Sequence, residues 1–260
     1  MKTIAIANQK GGVGKTPLAL HVAHRALEKG LRVLLVDMDN QGSLSLSFPP
    51  SAESGRGPHL QASHLFDTEQ YLTPEAITSH LSIVRADNRL LTIDKAENEV
   101  ISLPRGALQK YARDVDLVVI DTPPSLGLRL MAALSAADGV VTPLTIGFFE
   151  LAGAGDLLST IHVVRTQGFN QRLRHIGIQI MRNNDRSMED KQAIADLRER
   201  YGRLVLPDEL PQRQTVTKAI MQQLPVWKLP TANLTRSPQK PSIADTWRSA
   251  CDNIIERGMK

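Results

Sequence analysis

Gln9-Lys10-Gly11-Gly12-Val13-Gly14-Lys15-Thr16 decides how this chain folds. The apolar run Thr3-Ile4-Ala5-Ile6-Ala7 leads into it, and a helical pattern from Leu18 to Leu27 leads away from it. A strand, a glycine-rich turn and a helix start, in that order, make a cradle for phosphate. The glycines Gly11, Gly12 and Gly14 let the backbone N–H groups, that of Val13 among them, turn inward on the anion. Lys15 is placed to reach β- and γ-phosphates, and the Thr16 hydroxyl to hold Mg²⁺. The general pattern GxxxxGK[ST] would put glycine at position 9, where this chain has Gln9. Instead a second lysine, Lys10, stands five residues before the first. It cannot easily serve the same phosphate from the same loop, because its stem projects out of the cradle. The economical reading is that Lys10 neutralises phosphate held by a neighbouring subunit, as an arginine finger does in trans. The alternative is a solvated surface lysine.

Around this loop, apolar runs alternate with helical stretches. Strands are expected at 3–8, 32–37, 90–94, 116–121, 139–144 and 175–180, with a short one near 203–206. Several are apolar throughout, as in a parallel sheet covered on both faces. Helices are expected at 16–29, 74–81, 105–112, 126–136, 150–167, 188–201, 213–223 and 241–257. The alternation predicts an α/β fold: a doubly wound, mostly parallel sheet flanked by helices. Residues 9–16, 37–42 and 121–125 all follow strand ends, so they converge on one crevice. Residues 43–64, rich in Ser, Gly, Pro and His, read as an exposed loop or a short irregular insertion, and 228–241 as a connector to the last helix.

A length of 260 residues at 42% hydrophobic content suits one large core, so a single domain over 1–260 is expected. The lone Cys251 excludes a disulfide framework and a thiolate-held iron–sulfur cluster within one chain. No signal peptide is evident, and no apolar run approaches the ~20 residues needed to span a bilayer, so a cytoplasmic protein is expected. The net charge of +4 suits a polyanion partner.

Three segments carry a family resemblance. Lys10-Gly11-Gly12-Val13-Gly14-Lys15-Thr16 resembles the deviant Walker A motif of the ParA/MinD group of P-loop ATPases. Asp37-Met38-Asp39-Asn40-Gln41-Gly42 is similar to that group's DxDPQG motif, and Asp116 through Ser125 to its Walker B segment. Pro207 and the stretch from Arg213 to Trp227 resemble the ParA C-terminal region, and over nearly its whole length the chain resembles the plasmid partition ATPases of the IncC type. The resemblance implies ATP and Mg²⁺ as ligands and slow ATP hydrolysis. It implies that Asp121 and Thr16 hold the metal, that Asp37 supports the metal shell or the signature lysine, and that Asp39 positions or activates the attacking water. It places adenine near Met181 to Asn184, with Asn183 or Asn184 reading the base, and near Pro207. Pro17 departs from the family, which has Thr or Ser there; a weakened α-phosphate contact is expected, and impaired hydrolysis follows as one alternative.

The resemblance further implies a homodimer formed with ATP, nonspecific binding to double-stranded DNA on the nucleoid, and release by a ParB-type partner. Arg186, Arg213, Lys218, Arg236, Lys240 and Arg248 are the DNA-contacting candidates. The chain starts at its first strand, so an N-terminal helix-turn-helix domain is not expected. The rival readings are a MinD-like membrane-positioning ATPase, a phosphotransferase for a small molecule, and a nucleotide binder without useful hydrolysis. The last helix bears on the first rival. Its apolar stripe, Ile243, Trp247, Ala250, Cys251, Ile254 and Ile255, is expected to pack on the domain rather than lie on a membrane surface.

Overall fold

The computed structural model describes residues 1–69, 72–146, 150–181, 187–211, 214–232 and 241–260, at 150–154 the backbone alone. Its strands are β1 (Lys2–Ile6), β2 (Val33–Asp37), β3 (Glu75–Thr78), β4 (Leu81–Val84), β5 (Leu117–Asp121), β6 (Gly139–Thr145), β7 (Arg174–Met181) and β8 (Val205–Leu210). They form one sheet in the order β3-β4-β2-β5-β1-β6-β7-β8. Every pairing is parallel except that of β3 with β4. The helices are α1 (Lys15–Glu28), α2 (Ser43–Leu46), α3 (Leu90–Ile93), α4 (Leu103–Gln109), α5 (Leu128–Ala136), α6 (Glu150–Thr166), α7 (Met188–Tyr201), α8 (Gln214–Met221) and α9 (Ile243–Met259).

The central strands are apolar on both faces because both faces are covered. Alternate side chains of a strand point to opposite sides. Ile4, Ile6, Val33, Leu35, Leu117 and Val119 join one core, shared with α1 and α9. Ala5, Ala7, Leu34, Val36, Val118 and Ile120 join the other, shared with α5 and α6. The apolar stripe of α9 lies inside the first core except for Ile243, which is partly buried against it, and Trp247 is fully buried. Among the described residues no helix is long and apolar enough to cross a membrane.

Three sequence expectations fail locally. The expected helix at 74–81 is instead the β3–β4 hairpin. Pro74 and Glu75 resemble a helix start, but Leu81 through Val84 pair with β2, and this tertiary pairing overrides local preference. The expected strand at 90–94 is the single-turn helix α3. Asp87 seeds it by accepting the Arg89 N–H on its side chain (2.8 Å) and the Leu90 N–H on its carbonyl (3.2 Å). The stretch 43–64 is not merely an exposed loop, since Leu44, Phe48, Leu60 and Ala62 are buried in the two cores.

Candidate functional site

Register brings the motifs together. β2, β5 and β1 are neighbours, and Asp121 is the Cα partner of both Asp37 and Ile6. Three loops therefore leave the sheet side by side at one level, on the carboxyl side where ligands of such sheets bind. Asn8, fully buried, anchors the first loop. Its amide donates to the Pro143 carbonyl of β6 (2.8 Å), and its Oδ1 accepts the Lys10 N–H (2.9 Å). Gln9 ties the same loop to α6 through Thr160 Oγ1 (2.7 Å). Gly12 and Gly14 take positive φ values of 72° and 92°, the left-handed conformation that glycine adopts without strain. The N–H groups of Lys15 and Thr16 and the loop before them have no helical acceptor, as at any helix start. The first helical bond of the turn is Leu18 N–H to Gly14 carbonyl (3.1 Å). Pro17 is the third residue of α1, so it removes no bond from the helix, only an N–H that an anion would otherwise meet.

The charged groups crowd behind this loop. The Lys15 ammonium curls back to donate to the Lys10 carbonyl (2.9 Å) and is nearly buried. Burial lowers its pKa, against the pull of Asp121 and Asp39. The Thr16 hydroxyl donates to Asp121 Oδ2 (2.5 Å). Asp121 is buried, and its Oδ1 has no hydrogen-bond donor. Burial, then the charge of Asp37, pushes Asp121 up to about 8, with the Thr16 hydroxyl and Lys15 opposing. Burial likewise pushes Asp37 up to about 6, opposed by Ser45. Carboxylates held in so anionic a place are short of positive charge.

Asp37 and Asp39, two residues apart, differ in role. Asp37 Oδ2 accepts from Ser45 N–H (2.8 Å) and Ser45 Oγ (2.7 Å), and its Oδ1 from the Asp39 N–H (3.2 Å). It shapes the turn that leads into α2. Asp39 is only half buried, and its Oδ1 takes the Gln41 N–H (3.1 Å). Lys10 is also half buried. Thr122 Oγ1 donates to the Ile6 carbonyl (2.9 Å), which fastens the third loop to the first strand.

Sequence reasoning did not find Asn8, Ser45 or Arg129, whose guanidinium reaches the 37–42 loop. Each acts through a hydrogen bond that folding makes and no local pattern displays, Asn8 to Pro143, Ser45 to Asp37 and Arg129 to Asn40. Of the other expected residues, Pro207 sits exposed within β8, three strand spacings from β1, about 14 Å. Lys218 is exposed on α8. Arg248 lies half buried on α9, its guanidinium 5.8 Å from the Trp227 ring centroid. Asn183, Asn184, Arg186, Arg213, Arg236 and Lys240 lie outside the described residues.

The donor set fits a magnesium ion. Thr16, Asp121 and the nearby carboxylates offer hard oxygen atoms, and Asp121 Oδ1 is buried without a partner. Among the described residues no group of three or more His, Cys, Asp or Glu is arranged as a metal cage. Mg²⁺ is held by one or two protein oxygens together with phosphates and water.

Residues 1–175 match a protein family described as an AAA domain. The chain is similar to Protein IncC of Escherichia coli, 32% identical over 92% of this chain and 66% of the relative. It therefore spans about two thirds of that relative's length. It is also similar to the chromosome-partitioning ATPase Soj of Thermus thermophilus, 36% identical over 84% of each chain. Among solved structures it resembles cobyrinic acid a,c-diamide synthase from Mycobacterium smegmatis with bound ADP and magnesium. The TM-score is 0.75 at 26% identity, over 98% of this chain and 94% of that one.

Proposed function

Because the chain belongs to the ParA/MinD family of P-loop ATPases, on the plasmid-partition side of it, we propose that it is a single-domain, ATP-driven DNA partition switch. ATP with Mg²⁺ joins two copies face to face, the dimer holds nonspecific duplex on the nucleoid in the cytoplasm, and a ParB-type partner triggers hydrolysis and release. The observation that carries this reading is the Thr16–Asp121 contact, which fastens the phosphate loop to the acidic end of β5 beside Lys15.

In this reading the backbone N–H groups from Gly12 to Thr16 bind the β- and γ-phosphates, and Lys15 neutralises them. Thr16 and Asp121 hold magnesium, with the charge of Asp37 behind them. Magnesium, when bound, spreads the charge that develops on the transferred phosphoryl group. Asp39, half open to solvent, orients the attacking water. Lys10 reaches the triphosphate of the second copy, which makes hydrolysis depend on dimerisation. Lys218 and Arg248, with Arg186, Arg213, Arg236 and Lys240, supply phosphate contacts to DNA, without base readout.

Sedimentation with ADP, with ATP and with ATP plus a nonspecific duplex tests the scheme. A dimer only with ATP, and a larger complex only with ATP and duplex, is the expected result. Lys10→Ala should bind nucleotide with unchanged affinity yet stay monomeric. A parent chain that remains monomeric when saturated with ATP and Mg²⁺ rules the scheme out.

A further inference from the structure

Arg129 opens α5 as its second residue, and its side chain is almost wholly buried. Its Nε and Nη2 both engage Asp94 Oδ2, at 2.8 and 2.7 Å. Its backbone N–H donates to Asp94 Oδ1 (3.2 Å). Asp94 follows directly on α3. An ion pair that merely held α3 against α5 would be complete at this point. The guanidinium fork has one more arm, however, and it points elsewhere. Nη1 donates to Asn40 Oδ1 (3.0 Å) and to the Met38 carbonyl (3.4 Å).

Those two acceptors flank Asp39. The Met38–Asp39 peptide is held at both ends, its carbonyl by Arg129 and its N–H by Asp37 Oδ1. The Met38 N–H in turn rests on the Asp121 carbonyl (2.9 Å). The segment that runs from Asp121 leads into α5, whose second residue is Arg129. Gly127, in that segment, passes so near Asp94 that a Cβ there would lie 2.6 Å from Asp94 Oδ1. Any side chain at 127 would push the carboxylate off the arginine. From the first turn of α5, into which the loop after Asp121 leads, one rigid, five-donor group thus ties Asp94 at the end of α3 to the loop that carries Asp39.

We propose that Arg129 is a positioning residue that makes the placement of Asp39 follow the loop between Asp121 and α5. Movement of that loop carries α5's first turn, and with it the arm on Asn40 and Met38. The proposal rests on the water-orienting role of Asp39 given above and adds the device that would make it respond to the other side of the site.

Two variants of the full chain test it. Asn40→Ala removes one acceptor and leaves the Arg129–Asp94 pair whole. Arg129→Lys keeps the charge but loses the fork. In nucleotide-free protein, amide exchange at residues 39–42 should speed up about fivefold or more in both, with β2 and α5 unchanged. In turnover, kcat should fall about fivefold in Asn40→Ala and about twentyfold or more in Arg129→Lys, with KM within about twofold. Unchanged exchange at 39–42 in both variants overturns the proposal, as does acceleration spread evenly through β2, β5 and α5, which marks a fold-holding pair alone. A parent chain that releases no phosphate sinks the hydrolytic reading instead, and the exchange measurement then decides the tie between the loops by itself.

Discussion

At residue scale the site is built from groups whose partners are unusual for their type. Asp37 is a carboxylate buried without a cation and stabilised by three donors, two of them from Ser45. Ser45→Ala removes the hydroxyl donor and leaves the backbone one. Urea unfolding should show a loss of about 1–2 kcal/mol, from one bond fewer to a buried carboxylate and an Ala86 N–H left without its acceptor. Pro17 presents the opposite case, a substitution the helix tolerates and the ligand feels. Because the first helical bond skips position 17, Pro17→Thr should leave stability within about 1 kcal/mol. It restores an N–H and a hydroxyl at the mouth of the loop. Titration with a fluorescent ATP analogue should find binding several-fold tighter; equal affinity in parent and variant would remove the idea that Pro17 weakens the α-phosphate contact.

At the scale of elements, α1 joins the phosphate loop to the C-terminal part of the chain through His21. The ring's Nδ1 donates to the Pro17 carbonyl (2.6 Å), and its Nε2 accepts the Val226 N–H (3.0 Å). That pairing fixes the neutral tautomer, and the ring stacks at 4.2 Å on Trp247. Burial drives its pKa down to about 3. Below pH 6.5 the unfolded chain takes up a proton there that the folded chain refuses, so stability falls as pH falls from about 6.5 towards 3. His24, lowered to about 4 by burial, acts with the same sign. Asp37 and Asp121, whose pKa values are raised, act with the opposite one. The useful quantity is therefore the difference between parent and His21→Gln. Urea midpoints at pH 7 and pH 5 should show the parent losing more stability than the variant, up to about 1.4 kcal/mol per pH unit below 6.5.

The same scale shows what sequence can and cannot disclose. β1, β2 and β5 and their loops were legible because a doubly covered strand is apolar throughout and a phosphate cradle needs glycines and a lysine in fixed order. The β3–β4 hairpin and α3 were not. Their runs of four residues are too short for a period to separate helix from strand, and partners distant in sequence chose the outcome. Arg129 was hidden for a related reason: as the second residue of an apolar helix it looks like any solvated arginine, and only folding sets it against Asp94 and Asn40.

At the scale of the whole molecule, nucleotide, dimer and DNA are one linked equilibrium in the proposed scheme. DNA affinity of the ATP-loaded protein should fall with salt, with a slope of log K against log[salt] of about −0.9 per phosphate contacted, and show little dependence on sequence. Filter binding of two unrelated duplexes between low and moderate salt reads both properties. A slope near zero, or strong preference for one duplex, would speak against phosphate-only contact.

The segment matched by the family ends at 175, yet the inner face of α1 is closed by residues far beyond it. Trp227 and Trp247 stand against His21, Trp227 Nε1 donates to Glu28 (2.8 Å), and Asp252 grips Arg25 (2.9 Å) and Lys29 (2.8 Å). A fragment cut at 175 would keep the three N-terminal motifs and still lose the wall its phosphate helix leans on. Excising the motifs as a portable cassette would thus yield a sticky, ill-formed chain, whereas re-supplying 176–260 in trans offers a way to rebuild the receptor from two pieces.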